Sequence, residues 1–233
     1  MNPPADKASV IEDVMDIFYA PSKVFKRREK SGFGMYLLIV WVIMAGLTFA
    51  NRSLNMQIAE AQIDKGIAKA VAKQPQAASQ IEAMKPIQLK IGAVVQYLAA
   101  PIWIFAVALL LWVTGMVTQT KVSYGQAALI VSLALIPRQL ATLLTTFQIV
   151  LTDTSNITAP AAISFSPARF IAADAMSPKL IGLLTSLDVF RIWSAFVEAV
   201  GISVLAKVPM QKAIITSVIV FALFSALAAL GAQ

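Results

Sequence analysis

Long apolar runs alternate with polar segments along this chain. The first run, at 33–50, contains no charged residue. An apolar run of about 18 or more residues is long enough to cross a hydrocarbon core of roughly 30 Å. We therefore predict an all-α integral membrane protein with a five-helix transmembrane bundle, whose spans lie at about 33–50, 91–117, 126–151, 181–206 and 213–230.

Two polar segments are expected to lie outside the bilayer. Residues 51–90 are rich in alanine and lysine, and Pro86 suits the first turn of the next helix. We predict an extramembrane helical hairpin for this segment. The membrane domain then covers residues 33–231, and residues 1–32 precede it.

The amino-terminal segment 1–32, here named the collar, has an amphipathic helical pattern. Ser9 and Glu12 match a capping box, which predicts a helix start. Two interpretations stay open: an interfacial helix lying in the plane of the membrane surface, or a helix pair packed on the protein's own loops. The predicted contacts to the membrane surface or to a partner are Phe18, Pro21, Lys23, Phe25, Lys26, Arg27, Arg28 and Lys30.

The charge balance supports a membrane protein. Hydrophobic residues make up 58% of the chain and charged residues 13%, well below the roughly 25% charged residues of globular domains. Much of the net charge of +7 lies in the collar, beside the first span. A basic cluster at that position sets topology and contacts anionic lipid headgroups. We expect anionic lipid as a partner and no nucleic acid.

The same basic cluster orients the chain. Nine lysines and arginines near span ends fall on the amino-terminal side and eight on the other, so the count alone barely decides. Those at 26–30 abut the first span, whereas most of the opposing lysines lie in the long hairpin. We therefore place the amino terminus in the cytoplasm and the carboxyl terminus outside.

Missing residue types limit the chemistry. The chain has no cysteine and no histidine, which excludes disulfides, thiol nucleophiles and the usual zinc sites. No nucleophile motif or phosphate-binding loop occurs in the sequence. We therefore expect a protein that is not an enzyme and that carries no cofactor and no metal.

Four charged residues fall inside predicted spans: Arg138, Asp188, Arg191 and Glu198. A charge at a helix centre costs roughly 2.5–3.5 kcal/mol, so we predict that Asp188 pairs with Arg191 and Arg138 with Glu198. Pro137 is predicted to kink the third span. Two roles stay open for this intramembrane polar cluster, a structural clasp between spans or a polar path, and the equal number of acids and bases favours the clasp.

Several motifs together resemble the Ypt-interacting protein (Yip) domain family. They are Phe18-Tyr-Ala-Pro-Ser-Lys-Val-Phe25 before the first span, Lys121-Val-Ser-Tyr-Gly-Gln-Ala127 leading to Leu135-Ile-Pro137, and Leu187-Asp-Val-Phe-Arg-Ile-Trp193. The resemblance covers about Phe18 to the end. It implies five spans, a cytoplasmic amino terminus and no known chemistry.

Eukaryotic members of that family bind small Rab-type GTPases and act in vesicle traffic. This chain lacks their Asp-Leu-x-Gly-Pro motif and resembles the bacterial type, which implies the bacterial cytoplasmic (inner) membrane. The function expected is that of a non-enzymatic scaffold or modulator of other membrane components, with a membrane-protein partner or an oligomer. The alternative is a transporter or permease subunit whose polar path uses Pro137 and the four intramembrane charges.

Overall fold

The computed structural model describes residues 8–151, 160–171 and 176–231. Residues 1–7 of the collar and parts of the segment between the third and fourth predicted spans lie outside this range. Within it the chain forms α-helices and short 3₁₀ turns, with no strand. The α-helices are α1 (Val10–Asp16), α2 (Pro21–Arg27), α3 (Gly34–Ala50), α4 (Arg52–Lys73), α5 (Ala78–Ala83), α6 (Lys85–Val117), α7 (Tyr124–Ala134), α8 (Ile136–Leu151), α9 (Pro178–Ser186), α10 (Val189–Leu205) and α11 (Met210–Gly231).

Three segments are long and apolar enough to cross a membrane by themselves: α6, the α7–α8 pair, and α11. Two further pairs meet that test only jointly, because α3 and α4 bend by 76° and α9 and α10 by 53°. The count of candidate spans is therefore three, or up to five if each bent pair is one span. The predicted all-α membrane fold is confirmed, whereas the span limits relative to the bilayer stay predictions.

Helix α7 lies at the centre of the bundle. Its residues 127–134 are all buried, and it contacts α3, α6 and α10. A helix that is apolar on every side is expected to be buried in this way. Ser123 begins α7 with a capping box, in which its hydroxyl accepts from the Gln126 backbone N–H and the Gln126 side chain accepts from the Ser123 N–H.

The collar is packed onto the bundle. The predicted capping box of Ser9 and Glu12 begins α1, and Pro21 occupies the first turn of α2. Val24 and Phe25 are fully buried, with α2 against α10. A Cβ atom on Gly201 of α10 would lie 2.7 Å from Cζ of Phe25, so this glycine provides the space for the ring.

The segment predicted as a hairpin forms α4 and the start of α6, joined by a 3₁₀ turn and the short helix α5. Helix α4 contacts α6, and Lys85 Nζ lies 2.6 Å from a carboxylate oxygen of Asp64. Helix α6 continues without a break through the predicted start of the second span. The placement of this hairpin outside the bilayer stays a prediction.

The fourth predicted span is not one continuous helix. Helix α9 ends at Ser186, and α10 begins at Val189 with Asp188 as its N-cap. An aspartate at an N-cap satisfies free N–H groups of a new helix, which favours a break at this position. In the third span, helix α7 stops at Ala134 and α8 starts at Ile136, so the interruption adjoins Pro137.

Candidate functional site

A polar cavity lies between α3, α8 and the start of α10. Its volume is about 370 Å³. Polar side chains line much of it: Thr48, Asn51, Asn55, Arg138, Thr142, Thr145, Ser164, Thr185, Asp188 and Arg191. A second, smaller cavity of about 70 Å³ is lined by Arg138, Arg191, Ser194 and Glu198 together with apolar residues. Arg138 and Arg191 thus line both cavities, which we call the arginine cavities.

Asp188 uses both carboxylate oxygens on backbone groups. Oδ1 accepts from the N–H of Phe190 at 2.9 Å and of Arg191 at 3.4 Å. Oδ2 accepts from the N–H of Phe165 at 2.9 Å, which ties the loop at 164–166 to the start of α10. The negative charge also sits at the helix N-terminus, where the macrodipole favours it.

Arg191 donates from Nη1 to Ser186 Oγ at 3.2 Å, and its guanidinium lies 5.7 Å from the ring centre of Phe221. Arg138, in the first turn of α8, lines both cavities. Among the residues that the structure describes, its side chain makes no ion pair and no hydrogen bond. Gln139, next to it, donates to the Leu135 carbonyl at 3.2 Å and so satisfies an acceptor at the helix break.

Glu198 lies deeper in the bundle on α10 and is 8% exposed. Its Oε1 has no hydrogen-bond partner within the described part of the chain. The Ser217 hydroxyl of α11 donates to the carbonyl of Ala195, three residues before Glu198, at 2.7 Å.

The two predicted ion pairs are therefore wrong. No ion pair in the described ranges joins Asp188 to Arg191 or Arg138 to Glu198. The physical reason is local, because backbone N–H groups occupy the Asp188 carboxylate and thereby break the helix on which Asp188 and Arg191 were expected to be neighbours. The four residues do gather around the arginine cavities. Arg138 and Arg191 line both cavities, Asp188 lines the larger one with its oxygens bound to backbone N–H groups, and Glu198 lines the smaller one.

A second polar site fixes the collar. Asp13 is fully buried and accepts from Arg27 Nη2 at 2.8 Å, Arg28 Nε at 2.6 Å and the Tyr36 hydroxyl at 2.5 Å. Arg27 also donates to Asp16 at 2.6 Å. Tyr36 belongs to α3, so this network joins both collar helices to the membrane bundle.

The collar prediction needs correction at Phe25, Arg27 and Arg28, and Phe18 has an aromatic partner within the protein. Phe25 cannot contact lipid or a partner, because it is buried against α10. Arg27 and Arg28 are held by collar acids and do not face headgroups. Phe18 packs edge-on against Trp193 of α10, with ring centres 5.8 Å apart.

The outer surface of the collar carries the remaining lysines and an apolar stripe. Lys23, Lys26 and Lys30 are exposed. Ile11, Met15 and Tyr19 are exposed by 73%, 56% and 74%. Ile11 and Met15 share one side of α1, and Tyr19 lies in the turn that follows this helix. Hydrogen bonds from the Tyr19 hydroxyl and from Arg27 hold the pKa of the Asp16 carboxyl below its usual value.

Sequence reasoning missed the contacts that Asp13, Tyr36 and Gly201 make. An acid three residues before Asp16, followed by two adjacent arginines, was a signal for an internal network. The partners of Tyr36 and Gly201 lie far along the chain and left no local pattern.

The geometry of these sites allows binding of a small polar ligand. Within the described ranges no three acidic, histidine or cysteine side chains cluster as metal ligands. Two guanidinium groups and several hydroxyls around a cavity are suited to an anion.

No curated protein and no solved structure matches the chain. The family model for the Yip1 domain matches residues 15–231, from the last turn of α1 to the end of α11. The motifs that suggested this family, in the collar, at the start of α7 and around Asp188, all fall within the matched residues. The chain therefore belongs to the Yip1 domain family, a family of membrane proteins.

Proposed function

We propose that this protein is a non-enzymatic scaffold or modulator of other membrane components, and that it acts through the outer surface of the collar. The observation that carries the proposal is the fixed position of the collar on the bundle. Asp13 and Phe25 bind it to α3 and α10, so the collar surface moves with the transmembrane helices.

The exposed stripe of Ile11, Met15 and Tyr19 is the part of the collar best suited to a partner. Large apolar side chains grouped on a surface commonly mark an interaction site. The exposed lysines of the collar favour an acidic counterpart. We therefore propose as occupant another membrane protein, with an acidic and partly apolar segment near the bilayer. Members of the Yip1 family work with other membrane proteins, which supports this choice.

The proposed location follows from the same surface. We place the collar on the cytoplasmic side of a bacterial inner membrane, where anionic headgroups would attract its exposed lysines. The carboxyl terminus would then lie outside. An integral membrane location itself follows from the apolar helices and the family.

Photocrosslinking from the stripe tests the scaffold role. A photoreactive amino acid at Met15 or Tyr19, in native membranes, should give a discrete protein adduct. Gln80 of α5 is also exposed and serves as the control site, where we expect no adduct of the same mass. Adducts to lipid alone, or the same adducts from Gln80, would contradict a protein partner at the collar.

A transport subunit is the second candidate function, and the arginine cavities favour it. Charged residues inside spans commonly line solute paths. An odd number of spans does not divide into two equal inverted repeats, which argues against a stand-alone transporter. Solute flux through purified protein in liposomes distinguishes the two functions, since a scaffold gives none.

A further inference from the structure

We propose that the larger arginine cavity is a binding site for an anionic phosphate or carboxylate group, held by Arg138 and Arg191. This proposal does not depend on whether the protein is a scaffold or a transport subunit, because an anion can bind without being transported. The anion could be the headgroup of an anionic lipid or a free anion from solution, and the two share the chemistry that the cavity recognises.

The charges around the cavity are not balanced. Neither Arg138 nor Arg191 forms an ion pair with any described residue. Asp188 is the carboxylate in the larger cavity, and three backbone N–H groups occupy its oxygens. Glu198 adjoins only the smaller cavity. Among the described residues, the larger cavity is thus lined by two cations and one carboxylate, whose oxygens already accept backbone N–H groups.

Arg191 uses one of its hydrogen-bond donors on Ser186, whereas Arg138 uses none on a described residue. A guanidinium has five N–H donors, and those of Arg138 meet no acceptor in the described part of the chain. Such a group inside a span is costly and is expected to have a partner. Thr142, one helical turn after Arg138, lines the same cavity and makes no described side-chain hydrogen bond. It adds a hydroxyl donor on the same face of α8.

The dimensions fit a small anion or a headgroup. A volume of about 370 Å³ falls within the range of ligand sites, and the lining is more polar than that of the neighbouring cavities within the bundle. Arginine binds phosphate and carboxylate through two parallel hydrogen bonds, which gives both strength and orientation. Two arginines at one cavity therefore indicate an oxyanion in preference to a cation or an apolar ligand.

Ligand-induced stabilisation tests the site, because a ligand that binds only the folded protein raises its melting temperature. The purified full chain is placed in phosphatidylcholine nanodiscs. One arm titrates inorganic phosphate, and a second arm replaces part of the lipid by phosphatidic acid. A shift with phosphate identifies a free anion, and a shift with phosphatidic acid alone identifies a headgroup. No shift in either arm overturns the proposal.

Arginine variants locate the binding. Arg138→Gln and Arg191→Gln should each weaken the response by about tenfold or more, since each removes hydrogen bonds to a charged group. Arg138→Gln should not lower the melting temperature without ligand, because it removes an unpaired cation. The control Arg52→Gln changes an exposed arginine outside the cavity and should keep the full response. An undiminished response in both cavity variants, or an equal loss in the control, overturns the proposal.

A third variant tests the site even if the two arginine variants do not fold. The chain has no cysteine, so Thr142→Cys supplies a single thiol in the cavity. The anion that raises the melting temperature should slow alkylation of this thiol at least about tenfold at saturating concentration, when about nine-tenths or more of the sites are filled. Ser22→Cys, on the exposed collar surface, should be unaffected. Equal rates at Thr142→Cys with and without anion overturn the proposal.

Discussion

Asp13 shows how a single residue can determine the role of a whole segment. Its carboxylate is fully buried and receives two arginines and a tyrosine. Arg27 and Arg28 thereby become internal partners, whereas Lys23, Lys26 and Lys30 are exposed. Asp13 therefore determines which basic residues of the collar are exposed.

Replacing Asp13 by asparagine should release the collar. The change leaves Arg27 and Arg28 without their shared partner, and loss of one partner of a buried ion pair costs about 3 kcal/mol or more. Thermal unfolding of the purified protein measures the loss, and faster proteolysis between α2 and α3 localises it.

Glu29→Gln is the matched control for Asp13→Asn. Glu29 pairs with Lys207 at 3.1 Å on the surface, where an ion pair contributes less than about 1 kcal/mol. Equal losses from the two substitutions would contradict a special role for Asp13.

The pKa of Asp16 predicts a pH dependence. Because Tyr19 and Arg27 lower this pKa in the folded state, the carboxylate contributes stability above its unfolded pKa and loses that contribution as the pH falls through the lower folded pKa. Melting temperatures of the wild type and Asp16→Asn should differ at neutral pH and converge below the usual aspartate value of 3.8. A difference that stays constant down to pH values well below 3.8 would contradict this linkage.

At the scale of elements, α10 receives contacts from several parts of the protein. It contacts α2 of the collar, the central α7, α8 and α11. Its N-cap Asp188 fixes the loop at 164–166 and places Arg191 at the cavities. Gly201, near its other end, admits the Phe25 ring. Changes in α10 should therefore affect both the collar and the arginine cavities.

Gly201→Ala should weaken collar docking. The new Cβ would meet Phe25 at 2.7 Å and Ile130 at 3.0 Å, and overpacking of this kind costs about 1–3 kcal/mol. Thermal unfolding measures the cost, and Phe25→Leu in the same chain should recover part of it.

The control substitution lies in another helix. Gly46, within α3, has open space where a Cβ would be, and alanine there should be neutral or stabilise by up to about 1 kcal/mol. If Gly201→Ala also proved harmless, the close packing of the collar on α10 would be wrong.

The elements that depend on local pattern could be predicted from the sequence. Uninterrupted apolar runs predict helices in lipid, because a helix forms the backbone hydrogen bonds of a segment within the segment itself. The capping box at Ser9 follows from side chains three residues apart. These features need no knowledge of the rest of the chain.

The predictions that were wrong concern residues whose partners lie far away along the chain. Asp188 was expected inside a helix, but the Phe165 N–H and the start of α10 compete for its carboxylate. Phe25 was expected at the membrane surface, but Gly201 far along the chain leaves space for it. The sequence predicted which four charges gather in the bundle and not how they are paired.

At the scale of the whole molecule, the apolar helices and the family both indicate an integral membrane protein. Three segments are long and apolar enough to cross a membrane by themselves, and the count rises to five if each bent pair is one span. With five, the two termini lie on opposite sides and the hairpin lies opposite the collar. This arrangement underlies the proposed cytoplasmic scaffold surface, because a collar on the outer side could not meet cytoplasmic partners.

Single-cysteine labelling measures this topology directly, since the chain has no cysteine of its own. Ser22 in the collar and Ser79 in α5 are both exposed, so Ser22→Cys and Ser79→Cys form a matched pair, and a cysteine appended after Gln233 reports the other terminus. An impermeant maleimide applied to intact cells should label Ser79→Cys and the appended cysteine, and should reach Ser22→Cys only after the membrane is opened. Labelling of Ser22→Cys in intact cells, or equal accessibility of the two termini, would contradict a five-span bundle with a cytoplasmic collar.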